Sequence, residues 1–120
     1  MNKKILICED EKGVQDLLKN KLSGKKYDIF SAVDGKEAVD KAKIIRPDLI
    51  LLDIRMPKLD GLEAAKQIRK LKIKSKIIFV TGFESPELSR EAKKYGICDY
   101  ITKNAPTEDI IKAIDSALNA

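Results

Sequence analysis

Leu49-Ile50-Leu51-Leu52-Asp53-Ile54-Arg55-Met56-Pro57 is the stretch that decides the fold. Four aliphatic residues in succession, with helical periodicity on either side, read as a strand buried on both faces. The strand ends abruptly in a carboxylate, and a loop closed by Met56-Pro57 follows. In open parallel sheets, ligands bind just beyond the carboxyl ends of the strands, so Asp53 stands where chemistry is done.

Working outward, Lys4-Ile5-Leu6-Ile7-Cys8 is a first buried strand that runs into Glu9-Asp10-Glu11. A helix over 12–22 follows, with Val14, Leu17, Leu18 and Leu22 as its expected inner stripe and Gly24 just past its end. Residues 27–32 form a less uniformly apolar strand, expected near a sheet edge. Asp34-Gly35 opens a helix through Ala38, Val39, Ala42 and Ile45 that stops before Arg46-Pro47. Beyond the central stretch, Asp60 caps a helix carrying Leu62, Ala65, Ile68 and Leu71. Lys76-Ile77-Ile78-Phe79-Val80-Thr81 is a fourth strand, and Ser85-Pro86 starts a helix with Leu88, Ala92 and Tyr95 that ends at Gly96. Asp99-Tyr100-Ile101-Thr102 is a short last strand, and Thr107 caps a final helix packed through Ile110, Ile111, Ile114 and Leu118. Strand and helix alternate throughout, which predicts one α/β domain: a doubly wound parallel sheet with helices on both faces.

At 120 residues, 43% hydrophobic and 36% charged, the chain has the size and balance of one globular domain. No apolar run approaches the length of a membrane span, and no secretory signal pattern opens the sequence, so neither membrane nor export is expected. Cys8 and Cys98 lack metal-ligand spacing and read as two buried small hydrophobes in a reducing cytoplasm. The net charge of +5 comes largely from lysines at helix ends, such as Lys19, Lys21, Lys70, Lys93 and Lys94, where the helix dipole favours cations. In this fold those ends share the edge opposite the strand carboxyl ends, so the molecule is expected to be acidic at one edge and basic at the other. With no aromatic residues among the lysines, direct nucleic-acid binding is not expected.

The other strand ends supply Glu9 and Asp10, Thr81, and Lys103 beside Asp53. Three carboxylates in one crevice repel one another and titrate upward unless a cation joins them. Hard oxygen ligands of this kind suit Mg²⁺, and a hydroxyl with an ammonium suits a phosphoryl group. Singly, each residue has a plainer explanation: a capping acid, a β-forming threonine, a solvated lysine, an aspartate opening a turn. Four strand ends delivering complementary groups to one place is the stronger signal.

Cys8-Glu9-Asp10-Glu11, Asp53 through Gly61, Val80-Thr81-Gly82 and Tyr100-Ile101-Thr102-Lys103 together resemble the receiver domain of bacterial two-component response regulators. The resemblance runs over essentially the whole chain, residues 1–120 as one domain, and implies a flavodoxin-like (βα)5 fold with strand order 2-1-3-4-5. It implies that Asp53 is the phosphoacceptor and that Mg²⁺ is held by Asp10, Asp53, Glu9 and the backbone carbonyl of Arg55. Thr81 and Lys103 would hold phosphoryl oxygens, and Thr81 and Tyr100 would form the switch that reshapes the surface of helix four, strand five and helix five. The resemblance implies as donor a phosphohistidine on a histidine kinase or phosphotransfer protein; this chain has no histidine, so the donor is another molecule. The protein is then no conventional enzyme, but a phosphoacceptor that assists its own phosphorylation and dephosphorylation, as a monomer or weak phosphorylation-dependent dimer acting on an output partner.

Three departures from the family pattern stand out. The acidic pair is Glu-Asp where Asp-Asp is commoner, which keeps the metal chemistry. Asn104 follows Lys103 where a proline after a cis bond is usual. A cis bond before a non-proline costs about 3 kcal/mol, so either the surroundings enforce it or the loop runs differently. Gly82 after Thr81 predicts a mobile loop after strand four. Arg55 and Phe83, flanking the phosphoryl position, predict slow loss of the phosphoryl group, which the decay of the adduct in isolated protein would test. Competing readings are a receiver within a longer regulator or hybrid kinase, an aspartyl-phosphate hydrolase, which generally wants an acid where Arg55 stands, and a flavin carrier, whose phosphate Glu9-Asp10-Glu11 would repel.

Overall fold

The computed structural model describes residues 2–24, 26–56, 58–82 and 86–119, without the side chains of Pro86 and Ser89. Strand and helix alternate as β1 (Lys3–Cys8), α1 (Lys12–Leu22), β2 (Tyr27–Ala32), α2 (Gly35–Ile45), β3 (Leu49–Asp53), α3 (Gly61–Lys70), β4 (Lys76–Thr81), α4 (Pro86–Lys94), β5 (Ile97–Thr102) and α5 (Thr107–Leu118). The strands form one parallel sheet in the order β2-β1-β3-β4-β5, the flavodoxin-like order.

Alternate residues of the three inner strands feed two separate cores, as the two-residue period of a strand requires. Leu6, Ile50, Leu52, Ile77 and Phe79 meet Ala38, Val39 and Ala42 of α2, Ala64, Ala65 and Ile68 of α3, and Ala92 of α4. Ile5, Ile7, Leu49, Leu51, Ile78 and Val80 meet Leu18 and Leu22 of α1 and Ile110, Ile114 and Ala117 of α5. Buried on both faces, β3 has no position for a polar residue until Asp53 at its end.

Several sequence expectations shift. Leu17 is 48% exposed, because Val14, Leu18 and Leu22, four apart, already fill the inward stripe of α1. Leu71 is the exposed residue that ends α3 rather than part of its stripe. Thr107 is the first residue of α5 and Pro106 its cap, with no side-chain cap bond. β5 starts at Ile97, two residues early, because Gly96 (φ 69) turns the chain straight from α4 into the strand. A register shift between Ile77 and Ile78 accommodates the extra residue, and Cys98 is exposed, not buried as expected. Cys8 is buried, and burial pushes its thiol up, so it packs as an inert hydrophobe. Ser85, expected before α4, lies outside the described residues, as do Pro57 and the loop over 83–85 that Gly82 was expected to loosen.

Candidate functional site

Strand register brings the predicted residues to one level. Cys8 pairs with Leu52, Asp53 with Val80, and Thr81 with Thr102, so Glu9, Asp53, Thr81 and Lys103 emerge side by side from four neighbouring strands. The N–H of Lys103 donates to the Thr81 carbonyl at 3.0 Å, continuing the ladder past the end of β5. Among the described residues every peptide bond is trans, including Lys103-Asn104. The loop therefore runs without the family's cis bond, and Ala105 N–H turns back to the Thr102 carbonyl at 3.0 Å. Lys103 still reaches the crevice.

The two oxygens of Asp53 have different partners. Oδ1 accepts from the backbone N–H of Arg55 at 3.1 Å, and Oδ2 accepts from Lys103 Nζ at 3.0 Å. Both Asp53 and Glu9 are almost wholly buried, at 2% and 1% exposed. Glu9 Oε1 lies 3.1 Å from Lys103 Nζ, an ion pair by distance only, for this oxygen accepts no hydrogen bond. Carboxylate oxygens of Glu9, Asp10 and Asp53 lie within 4.8 Å of one another. Burial pushes the Glu9 carboxyl up to about 8, with Asp53 adding to the effect and Lys103 opposing it. Burial also works against the Lys103 ammonium, but Asp53 and Glu9 outweigh it and hold its pKa above the ordinary value.

A buried carboxylate oxygen without a hydrogen-bond partner, beside two more carboxylates, is a donor set that suits a hard divalent cation. Asp53, Arg55, Thr81, Gly82 and Lys103 line an adjoining cleft of about 210 Å³. Tyr100 is half-buried on β5, its ring centroid 6.0 Å from that of Phe79 and its hydroxyl donating to the Leu88 carbonyl of α4 at 3.4 Å. Phe83, the expected neighbour of the phosphoryl position, lies outside the described residues.

Three supports were not foreseen. The buried Gln15 of α1 donates from Nε2 to the carbonyls of Glu9 at 3.1 Å and Ala32 at 3.2 Å, pinning the end of β1. Its signal was a polar residue three positions before Leu18, on the inward side of the helix. Gly61 lies so close to the end of β3 that a Cβ would stand 2.3 Å from the Asp53 carbonyl oxygen. Gly35 is closer still to the same loop, with a Cβ position 1.8 Å from the Leu59 carbonyl oxygen. Beside it, the Asp34 carboxylate caps α2 through Glu37 N–H at 2.8 Å and pairs with Lys58 at 3.6 Å. The Glu37 N–H first, and Lys58 with it, hold that carboxyl below its ordinary pKa.

The family model for the response regulator receiver domain matches residues 5–115. The alkaline phosphatase synthesis transcriptional regulatory protein PhoP of Bacillus subtilis (strain 168) is 39% identical over 117 residues, 95% of this chain and 49% of that protein. The chain thus spans about half the length of that relative. The CheY-like receiver domain protein of Methanospirillum hungatei JF-1 superposes with a TM-score of 0.93 at 30% identity, covering 99% of this chain and 95% of that one. The response regulator domain of Thermotoga maritima CheB gives 0.89 at 31% identity, covering 100% and 98%. No helix among the described residues is long and apolar enough to cross a membrane. Five strands in this order, the acidic crevice at their carboxyl ends and these likenesses together show that the chain belongs to the receiver domains of response regulators, the phosphoacceptor signalling modules of two-component systems.

Proposed function

We propose that Asp53 is the phosphoacceptor of this receiver. The observation that carries the reading is the Asp53 carboxylate, buried at the end of β3, with Lys103 Nζ 3.0 Å from Oδ2 and Glu9 Oε1, which accepts no hydrogen bond, beside it. In the transfer, an Asp53 oxygen forms a bond to phosphorus as the bond from phosphorus to the donor's imidazole nitrogen breaks. The electron pair stays on that imidazole. The chain supplies position and countercharge rather than covalent help. Glu9, Asp10, Asp53 and the Arg55 carbonyl would hold Mg²⁺. Bound there, Mg²⁺ supplies positive charge against the mutual repulsion of carboxylate and phosphoryl oxygens. Lys103 adds its ammonium to the same charge balance, and the Thr81 hydroxyl donates to a phosphoryl oxygen.

The switch follows as a population shift between two packings. Tyr100 bridges β5 to α4 through Leu88, so a movement of Thr81 toward a phosphoryl group bears on the surface of α4, β5 and α5. The donor is a histidine kinase or phosphotransfer protein, and the output partner meets that surface. The site of action is the cytoplasm, and the protein works as a monomer or weak phosphorylation-dependent dimer, without direct nucleic-acid contact. A second reading, a receiver within a longer regulator, is favoured by the span of about half of the PhoP relative.

Intact mass after incubation with Mg²⁺ and acetyl phosphate tests the assignment. The expected result is one phosphoryl adduct that needs Mg²⁺ and is absent in Asp53→Asn. An adduct that persists in the variant, or none on folded wild type that binds Mg²⁺, overturns it.

A further inference from the structure

The amino ends of the strands hold a concentration of positive charge. Two adjoining clefts of about 400 and 510 Å³ open there and share Lys74, Ser75 and Lys76 as a common wall. One extends to Lys3 and Arg46, the other to Lys72 and Lys94. Lys3, Arg46, Lys72, Lys74 and Lys76 have no carboxylate within 4.0 Å among the described residues. Lys94 is paired with Glu91 at 3.2 Å, and the Arg69 guanidinium beneath is consumed by the carbonyls of Ile73, Ser75 and Tyr95. The one carboxylate in the lining, Asp48, accepts from Lys4 N–H at 2.8 Å.

Helix C-termini favour Arg46, Lys72 and Lys94 nearby, but Lys3, Lys74 and Lys76 lie outside any helix end, and like charges gathered this way repel. Arg46 and Lys72 hold left-handed conformations, φ 53 and 60, where a non-glycine residue costs roughly 1 kcal/mol. We propose that this face docks an extended acidic segment of a partner polypeptide. Single-stranded nucleic acid draws much of its affinity from aromatic stacking, but Tyr95 is the one aromatic in the lining, and Lys66 Nζ already stands 5.7 Å from its ring centroid. An extended peptide turns alternate carboxylates to one side about 6.6 Å apart, so successive ones can reach different cations along the two clefts. From Lys76 to Thr81 is the length of β4, roughly 16 Å at the rise of a strand. The acidic segment therefore leaves the Asp53 crevice open.

Fluorescence anisotropy with a fluorescein-labelled decapeptide of alternating Glu and Asp tests this on the whole chain. The expected result is saturable, salt-weakened binding, at least tenfold weaker in Lys74→Glu/Lys76→Glu. Lys36→Glu/Lys112→Glu, with the same net charge but outside the clefts, should bind as wild type. Should the first variant fail to fold by circular dichroism, Lys72→Glu/Lys94→Glu should show the same loss. No saturable binding, or an equal loss in the control variant, overturns the proposal. So does tighter binding of a twelve-residue oligothymidylate, which would make this a nucleic-acid surface.

Discussion

Lys103 stands between two carboxyl groups with one ammonium, 3.0 Å from Asp53 and 3.1 Å from Glu9. A substitution there separates metal binding from phosphoryl transfer. In Lys103→Met the carboxylates keep their place but lose their fixed countercharge. Phosphorylation by acetyl phosphate should slow by about 100-fold or more, the usual cost of removing a donor from a developing anion. Mg²⁺ affinity, read by calorimetric titration, should hold or improve, since a competing cation is gone. A rate within threefold of wild type would mean that Lys103 does not serve the transfer. At this scale the sequence was most readable where residue type and chemistry coincide: Glu9, Asp10, Asp53, Thr81 and Lys103 all stand at the predicted edge. It was least readable where a neighbour decides the outcome. Nothing around Cys98 in the chain announces the register shift that leaves it exposed. Gln15 looks like any helix polar residue until the ends of β1 and β2 supply its acceptors.

Among the elements, the segment from Asp53 to Gly61 is held from both sides. Gly61 N–H donates to the Ile54 carbonyl at 2.8 Å, closing the loop on itself, and Gly35 of α2 presses on Leu59. Gly35→Ala puts a methyl where the Leu59 carbonyl stands, so the loop must shift. The expected cost is about 1–3 kcal/mol of stability, together with weaker Mg²⁺ binding because Arg55 rides on the displaced segment. Lys58→Met removes only an ion pair whose lysine is 70% exposed, and should change stability by no more than about 0.5 kcal/mol. Denaturant unfolding and Mg²⁺ titration of the two variants check this; a Gly35→Ala protein with native Mg²⁺ affinity would falsify the coupling. The elements themselves were readable from periodicity, and the apolar run of β3 with its terminal acid carried most of the fold. Their close contacts were not, because a glycine's reason lies in an atom far along the chain. The start of β5 was missed for a related cause: only the two turn residues Tyr95 and Gly96 separate the end of α4 from the strand, too few to mark the boundary.

For the whole molecule, the crevice makes stability a function of pH and of metal. The Glu9 carboxyl, raised from 4.5 to about 8 by burial first and Asp53 second, favours its protonated form in the folded state. Its contribution is present in full below about pH 4.5 and is lost as pH rises through about 8. The metal-free protein should therefore melt at lower temperature at pH 8 than at pH 6. Mg²⁺, which binds the ionised form, should raise the melting temperature more at pH 8 than at pH 6. Melts followed by circular dichroism with and without Mg²⁺ decide it, and a Mg²⁺ effect that shrinks toward alkaline pH counts against the assignment. The distribution of charge between the two ends of the sheet was readable in advance from where helix ends must fall, although the gathering into clefts of five cations with no carboxylate partner among the described residues needed the fold. One consequence reaches back to synthesis. Glu9 comes from the first strand, Asp53 from the middle of the chain and Lys103 from just beyond the last strand. A nascent receiver still missing that last piece carries Asp53 with no ammonium beside it, so the crevice is complete only once all five strands of this domain have been made.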